Sequence, residues 1–81
     1  MRVLVKFFAS YRETLGKNEI KVELDRGSSV SDLLDVLRRD YPELGKLMET
    51  LVVSINLEYA TYDTILKEGD EVALLPPVSG G

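Results

Sequence analysis

Residues 29–42 read Ser29-Val30-Ser31-Asp32-Leu33-Leu34-Asp35-Val36-Leu37-Arg38-Arg39-Asp40-Tyr41-Pro42, and this stretch predicts the main helix of the chain. Ser29 and Asp32 have the spacing of a capping box, with Asp in place of the usual Glu. Pro42 ends the helix, because the residue before a proline is disfavoured in the helical region. Apolar side chains recur at helical spacing and predict a core-facing stripe: Val30, Leu33, Leu34, Leu37 and Tyr41.

Strand patterns lie on both sides of this helix. Apolar and polar residues alternate over residues 2–9, 18–24, 51–56 and 71–75, which predicts four strands with short connections. The first two strands form an antiparallel pair, and a crossover through the helix allows a later strand to lie parallel to the first. This order predicts an α+β fold of the ubiquitin-like β-grasp type, with a mixed sheet packed on one main helix.

The same alternation assigns side chains to the two faces of the predicted sheet. Lys6 and Glu71 mark one face of the first and last strands as solvated. Phe8 and Leu75 share that face, so both are predicted to be exposed there and to be neighbours if the two strands pair. In the third strand, Ser54 is predicted to point outward.

Composition limits the classes of function that the chain can have. Its 81 residues predict one domain over residues 1–75 and a flexible tail over residues 76–81. A net charge of −4 argues against nucleic acid or an anionic membrane as a partner. Because Met1 is followed directly by a strand pattern and no apolar run reaches transmembrane length, a cytoplasmic location is expected.

Two residue types that supply much of catalytic and metal-binding chemistry, Cys and His, are missing from the sequence. The chain has no Cys and therefore no thiolate nucleophile, and it has no His, the usual general base and the commonest metal ligand. No glycine-rich phosphate loop occurs either. We therefore expect no metal site and no cofactor bound by this chain, which is predicted to act as the partner of an enzyme.

The C-terminal segment Pro76-Pro77-Val78-Ser79-Gly80-Gly81 points to a function. The prolines lack N–H groups and hold φ near −65°, so they end the last strand and start an extended tail. Glycine has no Cβ, so Gly80 and Gly81 form a slim strip that can enter a narrow tunnel in another protein. Such a tail suits chemistry at the terminal carboxylate.

Three parts of the sequence resemble the MoaD-type sulfur carriers, the small subunits of molybdopterin synthase. The first is Phe7-Phe8-Ala9 with Arg12-Glu13 and Gly16, and the second is Ile55-Asn56-Leu57-Glu58-Tyr59. The third and most specific is Leu66-Lys67-Glu68-Gly69-Asp70-Glu71-Val72-Ala73-Leu74-Leu75-Pro76-Pro77-Val78-Ser79-Gly80-Gly81. The resemblance covers the whole chain.

This resemblance implies a non-catalytic subunit that donates sulfur within a sulfurtransferase complex. A ubiquitin-activating-like enzyme would use ATP to adenylate the carboxylate of Gly81, and a sulfur donor protein would convert it to a thiocarboxylate. The tail would then enter the large synthase subunit, in a hetero-oligomer expected to be a heterotetramer. There the sulfur would pass to a cyclic pyranopterin precursor of the molybdenum or tungsten cofactor.

The resemblance also assigns roles to individual residues. Gly81 would carry the sulfur and Gly80 would give the tail its flexible approach. The residues expected to contact the partner form two groups, an apolar docking patch of Phe8, Tyr59 and Leu75, and a positioning segment of Pro76, Pro77, Val78 and Ser79.

Three other functions fit the same terminus. A ubiquitin-like protein modifier would join the carboxylate of Gly81 to lysine amines after the same adenylation step. A carrier for thiazole synthesis or transfer-RNA thiolation is the second, and a plain interaction domain with an inert tail is the third. Deleting Gly81 would abolish function in every case except the last.

Overall fold

The fold was obtained as a computed structural model that describes residues 1–77. Five strands and two α-helices follow one another along the chain: β1 (Arg2–Phe7), α1 (Ser10–Leu15), β2 (Glu19–Glu23), α2 (Val30–Asp40), β3 (Val52–Ile55), β4 (Glu58–Ala60) and β5 (Glu71–Leu75). Two 3-10 turns, Pro42–Leu44 and Leu47–Thr50, connect α2 to β3. No helix among these residues has the length and apolar character needed to cross a bilayer.

The strands form one mixed sheet in the order β2-β1-β5-β3-β4. β1 pairs with β2 in antiparallel orientation and with β5 in parallel orientation, while β3 pairs antiparallel with both β5 and β4. The parallel pair is the one that a crossover through α2 allows. The predicted β-grasp fold, a mixed sheet with one main helix, is confirmed.

Helix α2 begins at the predicted capping box. The Ser29 Oγ accepts a hydrogen bond from the backbone N–H of Asp32 at 3.2 Å, and the Asp32 carboxylate accepts one from the backbone N–H of Ser29 at 2.9 Å. The capping box thereby satisfies two otherwise unpaired N–H groups at the helix N-terminus. The helix ends at Asp40, and only Tyr41 separates it from Pro42.

The core lies between α2 and one face of the sheet. It contains four of the five residues of the predicted helix stripe, while Tyr41 is only partly buried and packs against it. The core residues of the helix and of strands β1, β2, β3 and β5 are Val3, Val5, Phe7, Val22, Val30, Leu33, Leu34, Leu37, Val53, Val72 and Leu74. Tyr11 of α1 is also buried, and its hydroxyl donates a hydrogen bond to the carbonyl of Leu47 at 2.6 Å. Burial raises the pKa of the Tyr11 hydroxyl.

The end of the first strand was wrongly predicted. β1 ends at Phe7 and does not continue to residue 9, because Ala9 leaves the extended region with φ 50° and ψ −125°. Ser54 lies on the face opposite the core, as predicted, although it is only 8% exposed. It pairs with Ala73 on one side and Tyr59 on the other, so its short side chain lies between two neighbouring strands.

Candidate docking face and C-terminal tail

The face of the sheet opposite α2, here called the open face, holds the predicted docking residues. The register aligns its side chains in rows across the strands. Lys6 of β1, Ala73 of β5, Ser54 of β3 and Tyr59 of β4 form one row. Leu75 and Val52 form the next row. Among residues 1–77 the main helix α2 lies on the other face, so the exposed side chains of the open face are available to a partner.

A tight turn holds Phe8 at the end of β1. The backbone N–H of Tyr11 donates to the carbonyl of Phe8 at 3.1 Å and closes a four-residue turn. Ala9 has φ 50° and ψ −125°, the conformation of the first central residue in a type II′ turn. Phe8 is 40% exposed, so its predicted exposure is confirmed.

Leu75 lies where the predictions placed it in the register but is less exposed than expected. Phe7 pairs with Leu74 at the end of the parallel ladder, and Phe8 and Leu75 are the residues that follow in the two segments. Leu75 also pairs with Val52 of β3 and is half-buried, since it has a strand on each side. Its full exposure was wrongly predicted, because a central strand covers more of each side chain than an edge strand does.

Tyr59 is the most separated member of the predicted patch. It lies on β4 at the edge of the sheet and is 82% exposed. β3 stands between Tyr59 and the strand of Leu75, which puts the two strands about 10 Å apart. The structure therefore places Leu75 and Tyr59 on one face, with Val52 and Ser54 between them, and Phe8 at the end of β1.

A shallow groove connects the far end of this patch to the edge of the sheet. It has a volume of about 370 Å³ and is lined by residues of β3, β4 and the segment after β4: Leu51, Val52, Val53, Tyr59, Ala60, Thr61 and Tyr62. Aromatic rings and aliphatic side chains dominate this lining. An apolar side chain of a partner could be accommodated there.

One ion pair lies beside the apolar residues of the open face. The Lys6 Nζ is 3.0 Å from a carboxylate oxygen of Glu71, and both side chains are about half exposed. The hydrogen bond to Glu71, reinforced by its negative charge, raises the pKa of Lys6. Lys6 stands next to Ala73 in its row and two residues before Phe8 in the chain.

The sequence reading missed several exposed apolar residues. Val52 has the same strand parity as Ser54, so the alternation alone could have assigned it to the open face. Leu57, Tyr62 and Ile65 are 97%, 52% and 54% exposed. They lie in a turn and in the irregular segment after β4, where no strand or helix period indicates which side chains are buried.

The remaining predicted site residues differ in what the structure says of them. Pro76 is half-buried and Pro77 is exposed, directly after the end of β5. Val78, Ser79, Gly80 and Gly81 lie outside the described residues. Within residues 1–77, no group of three or more acidic side chains is placed to hold a metal ion.

Comparisons with known proteins point to one family. The sequence profile of the ThiS family matches residues 5–81. The molybdopterin synthase sulfur carrier subunit of Chlamydomonas reinhardtii is 42% identical over 83 residues, with complete coverage of both chains.

Solved structures agree with this similarity. The crystal structure of small archaeal modifier protein 1 (SAMP1) from Haloferax volcanii superimposes with a TM-score of 0.87 at 32% identity and covers 100% of both chains. A chain from the complex of subunits 1 and 2 of the molybdopterin-converting factor of Helicobacter pylori superimposes with a TM-score of 0.74 at 26% identity, also over 100% of both chains.

Proposed function

The chain belongs to the ThiS family and is a sulfur carrier of the molybdopterin synthase type, and on that premise we propose that it carries sulfur as a thiocarboxylate on Gly81. The observation that supports this most directly is the position of β5. This strand is bonded to β1 on one side and to β3 on the other, and the chain ends six residues after it, at Gly81. Those six residues can span at most about 20 Å, so the sheet sets where the carboxylate can act.

The terminal carboxylate needs activation before it can accept sulfur. A free α-carboxyl group has a pKa of about 3.5, so it is ionised and unreactive at neutral pH. In the proposed cycle, a carboxylate oxygen of Gly81 attacks the α-phosphorus of ATP on an activating enzyme, and pyrophosphate leaves. A hydrosulfide ion delivered by a donor protein then attacks the acyl carbon and displaces AMP, which leaves a thiocarboxylate on Gly81.

The charged carrier would next dock on a large subunit. Phe8, Leu75 and Tyr59 supply apolar contacts on the open face, and the segment from Pro76 to Gly81 enters the active site of the partner. The thiocarboxylate sulfur forms a bond to a carbon of the pterin precursor as a carbon–oxygen bond of that carbon breaks, which gives a thioester. Water then hydrolyses the thioester, so that the sulfur stays on the precursor as a thiol and Gly81 returns to its carboxylate form. The Helicobacter pylori complex of subunits 1 and 2 supports such a partner, because its small chain is similar over the whole length.

Mass spectrometry of the protein isolated from its own cells tests the proposal. We expect an intact mass in which one terminal oxygen is replaced by sulfur, together with a noncovalently associated large subunit. Deletion of Gly81 should abolish the sulfur-containing form. The matched control is Arg38→Met, because Arg38 is exposed on α2, away from the open face, and its variant should retain the form. A terminus that stays a plain carboxylate during active cofactor synthesis would contradict the proposal.

The similarity to small archaeal modifier protein 1 supports a second candidate, conjugation to lysine side chains. The same sample distinguishes it. Trypsin cuts after Lys67, so a conjugate would leave the peptide of residues 68–81 attached to a lysine of the target. Such remnants on many proteins would favour the modifier, whereas their absence with a thiocarboxylate present would favour the sulfur carrier.

A further inference from the structure

We propose that Lys6 and Glu71 form a self-neutralised element of the docking face, so that the partner surface opposite them is neutral and supplies no counter-charge. This inference rests on the proposed docking of the open face to a large subunit. It adds a specificity-determining pair that the apolar patch does not include, and it states the chemistry of the surface that the pair meets.

The size of a protein interface places the pair inside the contact. β1, which ends just before Phe8, and β4, which carries Tyr59, are three strand spacings apart in the sheet, a distance of about 14 Å. A standard interface covers about 800 Å² on each partner, roughly 28 Å on a side. A partner centred on Phe8, Leu75 and Tyr59 would therefore also cover the position of Lys6, one row away.

Each charge of the pair already has its partner within this chain. The Lys6 Nζ and the Glu71 carboxylate are 3.0 Å apart, and the two residues lie on adjacent central strands that are held in register. In the free protein such a half-exposed pair adds little to stability. Under a partner, however, water is excluded, and losing either charge leaves the other without its 3.0 Å contact, although Glu19 of β2, in register with Lys6, remains an acidic neighbour of Lys6.

The pair also separates the right partner from wrong ones. A surface with a carboxylate opposite Lys6 would compete with Glu71, and one with a cation opposite Glu71 would compete with Lys6. Either would leave one charge of the pair without its present contact. A neutral partner surface leaves the ion pair of Lys6 and Glu71 intact, so a partner with such a surface is favoured over charged competitors.

A double-mutant cycle on binding to the purified large subunit of the same source tests the inference. The variants are Lys6→Met, Glu71→Met and the double variant, all measured by calorimetry. We expect each single substitution to raise Kd about 30-fold or more, because it leaves an unpaired charge in the interface. The double variant should bind within about threefold of the wild type, since neither charge remains.

The exposed pair Arg38 and Asp35 on α2 is the matched control. It has the same type of contact, 3.1 Å between nitrogen and oxygen, but lies on the helix. Arg38→Met and Asp35→Met should leave Kd unchanged. Thermal unfolding of every variant verifies that the fold is retained.

Four results would overturn the inference. Loss of binding in only one single variant would show that the partner supplies a counter-charge to that residue. A double variant that binds as weakly as the single variants would also show that the partner supplies counter-charge to the pair. Wild-type affinity in all variants would place the pair outside the interface. If the wild-type chain itself does not bind the large subunit, the proposed docking fails, and the inference fails with it.

Discussion

Phe7 and Phe8 are neighbours in the chain, yet they belong to opposite faces of the sheet. Phe7 is 1% exposed and packs in the core under α2, whereas Phe8 is 40% exposed beside the open face. The covered face is continuous and apolar, while the open face mixes apolar residues with the ion pair of Lys6 and Glu71. The comparison indicates that one face stabilises the fold and that the other is available for recognition.

The largest expected effect is on the covered face. Phe7→Ala removes a buried ring and should lower the free energy of unfolding by about 3–5 kcal/mol, through lost apolar burial and the cavity that remains. Phe8→Ala is the matched control and should cost less than about 1 kcal/mol. Urea unfolding measures both. Equal losses for the two variants would contradict the division between the faces.

Phe8→Ala has a small expected effect on stability but should have a large effect on binding to the large subunit. Phe8→Ala should raise the Kd for the large subunit about 30-fold, because exposed aromatic residues frequently contribute most of the energy of an interface. Calorimetry with the folded variant measures this effect. An unchanged Kd would mean that Phe8 lies outside the contact.

A buried carboxylate directly before β5 accepts hydrogen bonds from two neighbouring turns. Asp70 accepts hydrogen bonds from the side chain of Asn56 at 3.0 Å and from the backbone N–H of Lys67 at 2.8 Å. Asp70→Ala leaves these donors unpaired and should destabilise the fold by about 2 kcal/mol. Asp25→Ala, at an exposed position, should have almost no effect in the same urea unfolding experiment. Similar midpoints for both variants would show that the network adds nothing.

In the turn between β3 and β4, a substitution is expected to stabilise the fold by a small amount. Leu57 has φ 73°, in the left-handed region, and is 97% exposed. Because glycine adopts this conformation without a Cβ clash, Leu57→Gly should stabilise the fold by about 0.5 kcal/mol, after the loss of chain entropy is included. Thermal unfolding measures the change. A lower Tm would show that the Leu57 side chain makes a contribution that outweighs the strain.

The smallest expected effect concerns a pair at the edge of the sheet. Arg2 lies 2.9 Å from Glu23, and its hydrogen bond and charge lower the pKa of that carboxyl. The pair therefore adds stability at pH values above the ordinary pKa of Glu23, and this stability is lost as the pH falls through the lowered value. Arg2→Met should return the pKa of Glu23 toward its ordinary value in an NMR titration. An unchanged titration curve would show that the pair does not persist in solution.

The open face shows how far the sequence could predict the site. Strand parity placed Phe8 and Leu75 on one face, and the family resemblance supplied Tyr59. Parity could not show that Leu75 is half-buried or that Ser54 is covered, because burial on a sheet depends on which strands are neighbours and how large their side chains are. The exposed residues of the irregular segment, Tyr62 and Ile65, follow no period and could not be predicted at all.

The sequence by itself determined the main helix, its capping box, the alternating strands and the Gly-Gly terminus, because each depends on residues close together in the chain. Only the tertiary structure decided that Phe7 pairs with Leu74, that Val52 and Ser54 lie between Leu75 and Tyr59, and that Lys6 meets Glu71. Lys6 and Glu71 are far apart in the sequence, and only the parallel register of β1 and β5 brings them within 3.0 Å. Local patterns specify the elements, whereas the order and register of the strands specify the surface.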